Sequence, residues 1–169
     1  FAVGGNLGSH NNKMIIENGG IYTNSSTVGR ISLGMSEGDS SYDLEGGSDN
    51  EIQVNGGELY VERMYSGGTN NLFRISNGGK AMFTDADNDS DNNLRLDTKS
   101  TSCSNRYVVT GTGSTLTNPA MIYLGHTAGS QYGLFQVNDN ATVYGNTMYH
   151  GFRGDDYTLQ VTSNATTDI

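Results

Sequence analysis

The chain has 169 residues, of which only 34% are apolar, with 24 Gly and 19 Asn but one Pro and no Trp. This composition cannot supply the thick core that two packed layers of secondary structure require. The net charge of −9 argues against nucleic-acid and anionic-membrane partners, and the single Cys103 excludes an internal disulfide framework and a cysteine-ligated zinc site. No apolar run approaches the length of a membrane helix, so we expect no membrane insertion.

A short strand followed by a turn recurs along the chain. Three of these turns are Asn-Gly-Gly triplets, which begin at Asn18, Asn55 and Asn77. Three further strand-like runs end in altered turns. The last apolar residues of the six strands are Ile16, Val54, Ile75, Val109, Val137 and Val161. Their separations of 38, 21, 34, 28 and 24 residues lie in the range expected for solenoid repeats.

A second element precedes most of these strands and combines alternating apolar residues, a Gly and a small polar turn. It occurs at residues 2–11, 31–39, 64–71, 122–130 and 148–156. Alternation of period two indicates strands, and no stretch shows a helical stripe. We therefore predict an all-β fold, a right-handed single-stranded parallel β-helix of about six coils stacked roughly 4.8 Å apart. Segments 35–50 and 82–105, where the repeat is poorest, are predicted to loop out of the body.

Two segments carry a resemblance to known proteins. VGGNLGSHNNKMIIENGG (3–20) and NRYVVTGTGSTLTN (105–118) resemble repeats in the passenger regions of bacterial autotransporters and related secreted β-helix surface proteins. The resemblance extends over nearly the whole chain. It implies an extracellular or bacterial cell-surface location and a role as an adhesin, matrix component or biofilm scaffold, with enzymes as a minority.

The two ends of the sequence bear on assembly. The chain starts inside a turn unit and finishes shortly after a strand, and neither end resembles a solenoid cap. We expect one β-solenoid domain over 1–169. It is either an excerpt flanked by further coils or a subunit that self-associates end to end into filaments.

Six of the ten tyrosines recur at two positions of the repeat. The set before the Gly turn consists of Tyr65, Tyr123 and Tyr149, and the set after the Asn-Gly turn consists of Tyr22, Tyr60 and Tyr144. Both sets are predicted to face outward as aromatic columns. The favoured interpretation is stacking along the solenoid. The alternative is a surface for glycans or another partner.

An acidic run carries carboxylates at alternate positions, Asp85, Asp87, Asp89 and Asp91. Oxygen ligands at this spacing suit calcium, which takes six to eight of them. The run departs from an EF-hand loop, because Ser90 replaces the turn Gly and Leu96 replaces the bidentate Glu. It is either a calcium site or a solvated surface insertion, and the insertion is favoured.

Catalysis of glycan cleavage would require two carboxyl groups about 5 to 9.5 Å apart beside a groove. Glu58, Glu62, Asp155 and Asp156 are candidates, but only the acidic run forms a loop rich in such groups. We therefore expect a non-catalytic extracellular structural or adhesive β-solenoid. The alternative is a polysaccharide-binding or polysaccharide-cleaving β-helix enzyme. An ice-binding solenoid would need aligned Thr-x-Thr motifs, which the repeats lack.

Overall fold

A computed structural model describes residues 1–5, 8–24, 29–35, 46–84 and 94–169. The regular elements in these ranges are all β-strands. The described residues accordingly offer no helix with the length and apolarity to cross a membrane.

Sixteen strands are described. They are β1 (Ala2–Val3), β2 (Lys13–Glu17), β3 (Ile21–Asn24), β4 (Arg30–Leu33), β5 (Glu51–Asn55), β6 (Glu58–Val61), β7 (Arg63–Ser66), β8 (Leu72–Ser76), β9 (Lys80–Phe83), β10 (Leu94–Leu96), β11 (Arg106–Thr110), β12 (Thr115–Leu124), β13 (Leu134–Asn138), β14 (Thr142–His150), β15 (Thr158–Val161) and β16 (Thr166–Asp168).

These strands form two sheets in which every strand pairs in parallel with its neighbours. One sheet has six strands in the order β15-β13-β11-β8-β5-β2. The other has ten, running β1-β4-β7-β10-β12-β9-β6-β3, with β14 beside β12 and β16 beside β14. A third line of parallel bridges joins His10, Ser48, Thr69, Cys103, Gln131 and Asp155. The chain passes this line once per repeat, which gives a β-solenoid-like architecture.

The predicted strand ends lie in register across the six-stranded sheet. The aligned residues are Ile16, Val54, Ile75, Val109, Val137 and Val161. Alternation along β5, β8 and β13 sends every second side chain into the core, as the pleat requires. Leu59, Leu116 and Val143 line the core from the other sheet. The all-β class and the parallel stacking are therefore confirmed.

Asparagine side chains form a ladder immediately before the strands of the six-stranded sheet. The Oδ1 atom of Asn50 accepts hydrogen bonds from the backbone N and Nδ2 of Asn12, at 3.0 and 2.9 Å. Asn71 accepts the same pair from Asn50, at 2.9 and 3.0 Å, and Asn105 accepts from the backbone N of Asn71 at 2.8 Å. Asn50, Asn71 and Asn105 are at most 1% exposed. The ladder therefore satisfies backbone donors that burial would otherwise leave unpaired.

The prediction that 35–50 and 82–105 loop out of the body is wrong for their described parts. The strand β10 lies within the ten-stranded sheet between β7 and β12, and Phe83 is fully buried. Asn50 and Asn105 belong to the ladder. The sequence pattern does not reveal β10, because Asp97 follows its Leu-Arg-Leu strand where other repeats have Gly. Residues 36–45 and 85–93 lie outside the described ranges.

Candidate functional site: an aromatic and cationic surface

The register of four strands gathers the first tyrosine set into one column. Across the sheet, each residue of the column is paired with the next, in the order Tyr65 of β7, Arg95 of β10, Tyr123 of β12 and Tyr149 of β14. Tyr65 is only 8% exposed, and its ring centroid lies 4.9 Å from the Arg30 Cζ and 5.1 Å from the Arg95 Cζ. Exposure rises along the column to 40% at Tyr149. Tyr65 is therefore held by cation–π contacts and Tyr149 is available at the surface.

An aromatic cluster, defined as Tyr123, His126, Tyr149, Phe152 and Arg153, occupies the accessible end of this column. The rings of Tyr123 and Tyr149 are stacked, with centroids 4.9 Å apart and planes 8° apart. The Phe152 ring meets both edge-on, at 4.9 and 5.4 Å. The His126 ring lies 5.4 Å from Tyr123, and the Arg153 Cζ lies 5.1 Å from the Phe152 ring. Stacked and edge-on geometries are both favourable for aromatic pairs.

Backbone bonds hold the cluster on the preceding repeat. The strand β14 ends before Gly151, which adopts a φ of +62° that glycine tolerates without strain. The chain then returns over the neighbouring repeat. The Phe152 N donates to the Leu124 O at 3.1 Å, and the Arg153 N donates to the Gly125 O at 2.9 Å. The two side chains are therefore placed by the backbone and not by a free loop.

The cluster is cationic at neutral pH. Burial, which is the largest cause, and the guanidinium charges of Arg95 and Arg153 together lower the pKa of His126 to about 4. The imidazole is therefore neutral at pH 7, and Arg153 supplies the exposed charge. The exposed guanidinium of Arg153 offers one cationic group to an anion on a chain whose net charge is −9.

The second tyrosine set is only partly brought together. Tyr60 and Tyr144 share an outward column through Met82 and Thr117. Tyr22 instead lies opposite Leu59 and packs against the core, so the predicted shared column is wrong for it. Tyr22 is one residue closer to its Asn-Gly-Gly triplet than Tyr60 is to its own. Because successive side chains of a strand point to opposite faces, this difference of one residue places Tyr22 on the other face.

Tyr60 and Tyr144 differ in their local contacts. The Tyr60 hydroxyl donates to the Glu58 carboxylate at 2.6 Å, and Lys80 pairs with the same carboxylate at 3.2 Å. The hydrogen bond from Tyr60 and that from Lys80 lower the pKa of Glu58. Tyr144 is 46% exposed and borders a shallow cavity of about 150 Å³. That cavity lies at a bulge where the pairing shifts between Asn118 and Met121.

The other predicted groups are the acidic run and the four candidate carboxylates. The acidic run Asp85, Asp87, Asp89 and Asp91 lies outside the described residues, so calcium binding stays a prediction. Within the described part, no group of three or more His, Cys, Asp or Glu side chains is arranged to hold a metal ion.

The candidate carboxylates for cleavage have separate surroundings. Glu62 accepts a hydrogen bond from the Gly29 N at 2.8 Å, while Glu58 is paired with Lys80. Asp155 lies on the line of parallel bridges, opposite Gln131.

Sequence reasoning missed a buried carboxyl group at Asp97. This residue takes the place of Gly125 of the next repeat, with a φ of +64°, and is fully buried. Its Oδ1 accepts hydrogen bonds from the Asn105 Nδ2 at 2.6 Å and the Tyr107 hydroxyl at 2.8 Å. Burial raises the pKa of Asp97 to about 6 even though these two bonds offset part of the effect of burial.

The Tyr157 ring lies near this carboxyl group, beside Gly133. The asparagine ladder stops at Gly133, where a Cβ would lie 2.2 Å from the Tyr157 Cε1 and 2.7 Å from the Asp97 Oδ2. Neither that Oδ2 nor the Tyr157 hydroxyl makes a hydrogen bond of good geometry in the described part of the chain, although the closeness of the two groups helps to lower the pKa of Asp97. The sequence does carry a signal for this position. An Asn directly precedes four strands of the six-stranded sheet, and Gly133 takes that place before β13.

No family model, curated protein or solved structure matches this chain. Its function is therefore argued from the chemistry of its own surface.

Proposed function

We propose that the chain is a right-handed single-stranded parallel β-helix of about six coils that serves as a non-catalytic structural or adhesive protein. We place it at a bacterial surface or in an extracellular matrix. The handedness is supported by the general rule that connections between parallel strands of one sheet are right-handed in about 98% of cases. The number of coils is supported by the six strands of the smaller sheet.

The aromatic cluster is the observation that carries the adhesive role. Tyr149 and Phe152 are 40% and 39% exposed, yet both are fixed by ring packing and by backbone hydrogen bonds to the preceding repeat. A binding surface held in this way loses little conformational entropy when a partner docks. Large amphipathic rings and arginine are also the side chains that contribute most at binding surfaces.

The edge of the six-stranded sheet supports end-to-end contact. Leu159 and Val161 of β15 lie in register with Phe135 and Val137, which are buried, but are themselves 40% and 41% exposed. One further parallel strand would cover them and pair the free backbone groups of β15. That strand belongs either to a further coil or to a second copy.

A polysaccharide-cleaving enzyme is the rival. A general acid for glycosidic cleavage needs a raised pKa and contact with its substrate. Asp97 has the raised pKa but is fully buried beneath Tyr157. This position makes it a poor acid for an external chain.

Adhesion tests the proposal directly. Beads coated with the purified chain should be retained on extracted biofilm matrix, and the matrix polymers should keep their length during incubation. Tyr149→Ala should release the beads, whereas Tyr132→Ala, which removes a 55% exposed tyrosine that is not part of the cluster, should not. Shortening of the polymers would favour the enzyme, and equal retention of both variants would refute the adhesive role of the cluster.

A further inference from the structure

We propose that the aromatic cluster binds acidic polysaccharide, with a pyranose ring packed on Tyr149 and Phe152 and its carboxylate paired with Arg153. This inference rests on the proposed adhesive function and names its ligand.

The rings supply the apolar half of the site. The faces of aromatic rings are electron-rich, while the C–H groups on the face of a pyranose ring are apolar and weakly positive. Tyr149 and Phe152 offer two exposed rings with centroids 5.4 Å apart. Because Tyr149 is stacked on Tyr123 and Phe152 packs edge-on against both, the rings keep their orientation without a ligand.

Arg153 supplies the charged half. Its guanidinium lies over the Phe152 ring, and that ring in turn contacts the Tyr149 ring. Within the described ranges no carboxylate forms an ion pair with Arg153, in contrast to the pairs Lys13–Glu51 and Lys80–Glu58. The exposed guanidinium of Arg153 therefore keeps its N–H donors for a ligand. A planar guanidinium matches a carboxylate through two parallel hydrogen bonds.

The two halves together select the ligand class. In a hexuronic acid the carboxylate is attached to the ring carbon framework itself. A sugar ring lying on Tyr149 and the edge of Phe152 therefore presents that carboxylate towards the neighbouring Arg153. A neutral glycan uses the rings alone, and an inorganic anion uses the arginine alone.

Binding to polygalacturonate oligomers and to their methyl esters tests the proposal. The ester keeps the sugar rings and removes the charge. The acid form should bind about tenfold more tightly than the ester, which corresponds to one charge-assisted contact. This preference should weaken with added salt.

Variants separate the two halves of the site. Arg153→Gln should abolish the preference for the acid form while keeping weak binding of the ester, and Tyr149→Ala should weaken both. Tyr132→Ala should bind as the unchanged protein does. Circular dichroism and the melting temperature of each variant establish that it is folded.

Several outcomes would overturn the inference. Equal affinity for acid and ester, no binding of either, or an Arg153→Gln variant that still discriminates would each do so. If adhesion to matrix persists but is abolished by protease treatment of the matrix, the cluster binds protein. The adhesive function then stands without acidic glycan, whereas loss of both adhesion and glycan binding rejects both proposals.

Discussion

Asp97→Asn tests the physical account of the buried carboxyl group. The amide keeps an oxygen for the donors of Asn105 and Tyr107 but cannot ionise, and its Nδ2 can donate to the nearby Tyr157 hydroxyl. In the unchanged protein the pKa of Asp97 rises from 3.8 to about 6 on folding. A shift of this size corresponds to about 3 kcal/mol between the two protonation states.

The sign of the effect follows from proton binding. Because the folded pKa lies above the unfolded one, the folded state keeps a proton that the unfolded state has released between pH 4 and pH 6. The free energy of unfolding therefore decreases as the pH rises through this window. Asp97→Asn removes the decrease, so the variant should exceed the unchanged protein by up to about 3 kcal/mol at pH 7.5. The two should converge below pH 4.

The measurement must isolate Asp97 from His126. The imidazole acts in the opposite sense, because its folded pKa is lowered to about 4 and its contribution is lost as the pH falls below 6.5. Urea unfolding followed by circular dichroism from pH 4 to pH 8 gives both curves, and their difference cancels His126. Asp156→Asn is an exposed control and should leave the curve unchanged. A difference that does not vary with pH, or a variant that is less stable at pH 7.5, would refute the reasoning.

Two further substitutions test the interior. Asn71→Ala removes the shared acceptor and donor of the ladder and should lower the free energy of unfolding by about 3 kcal/mol, whereas Asn146→Ala, at an exposed residue without a positive φ, should change it by less than about 1 kcal/mol in the same urea titration. A small effect at Asn71 would show that water replaces the ladder. Gly133→Ala should displace Tyr157 and lower the melting temperature by several degrees, whereas Gly145→Ala, whose Cβ would find space at 3.4 Å, should have little effect. Equal shifts for the two would contradict the packing of Tyr157.

The strand positions were accessible from the sequence because the turns carry local chemistry. Asn18 and Gly19 adopt φ values of +53° and +77°, a conformation that favours these residue types. β-branched and aromatic residues before the turns then define the strands. Local composition therefore predicted the class, the parallel stacking and the alignment of all six strand ends.

The remaining features depend on contacts between distant residues. Asp97 occupies a glycine position and so hides the end of β10 from any local pattern. Tyr157 reaches a carboxyl group 60 residues earlier in the chain, and nothing near either residue encodes that meeting. The face of Tyr22 was misassigned because a difference of one residue in the turn is enough to reverse a strand.

The asparagine ladder also has a mechanical consequence. From Asn12 to Asn50 and on to Asn71, each side chain donates to the repeat that follows, so adjacent repeats are coupled in one direction by buried polar contacts. Peeling away one repeat exposes unpaired amides on the next. We therefore expect repeats linked in this way to unfold together under tension, and the repeats beyond Gly133, where the ladder ends, to unfold singly and at lower force.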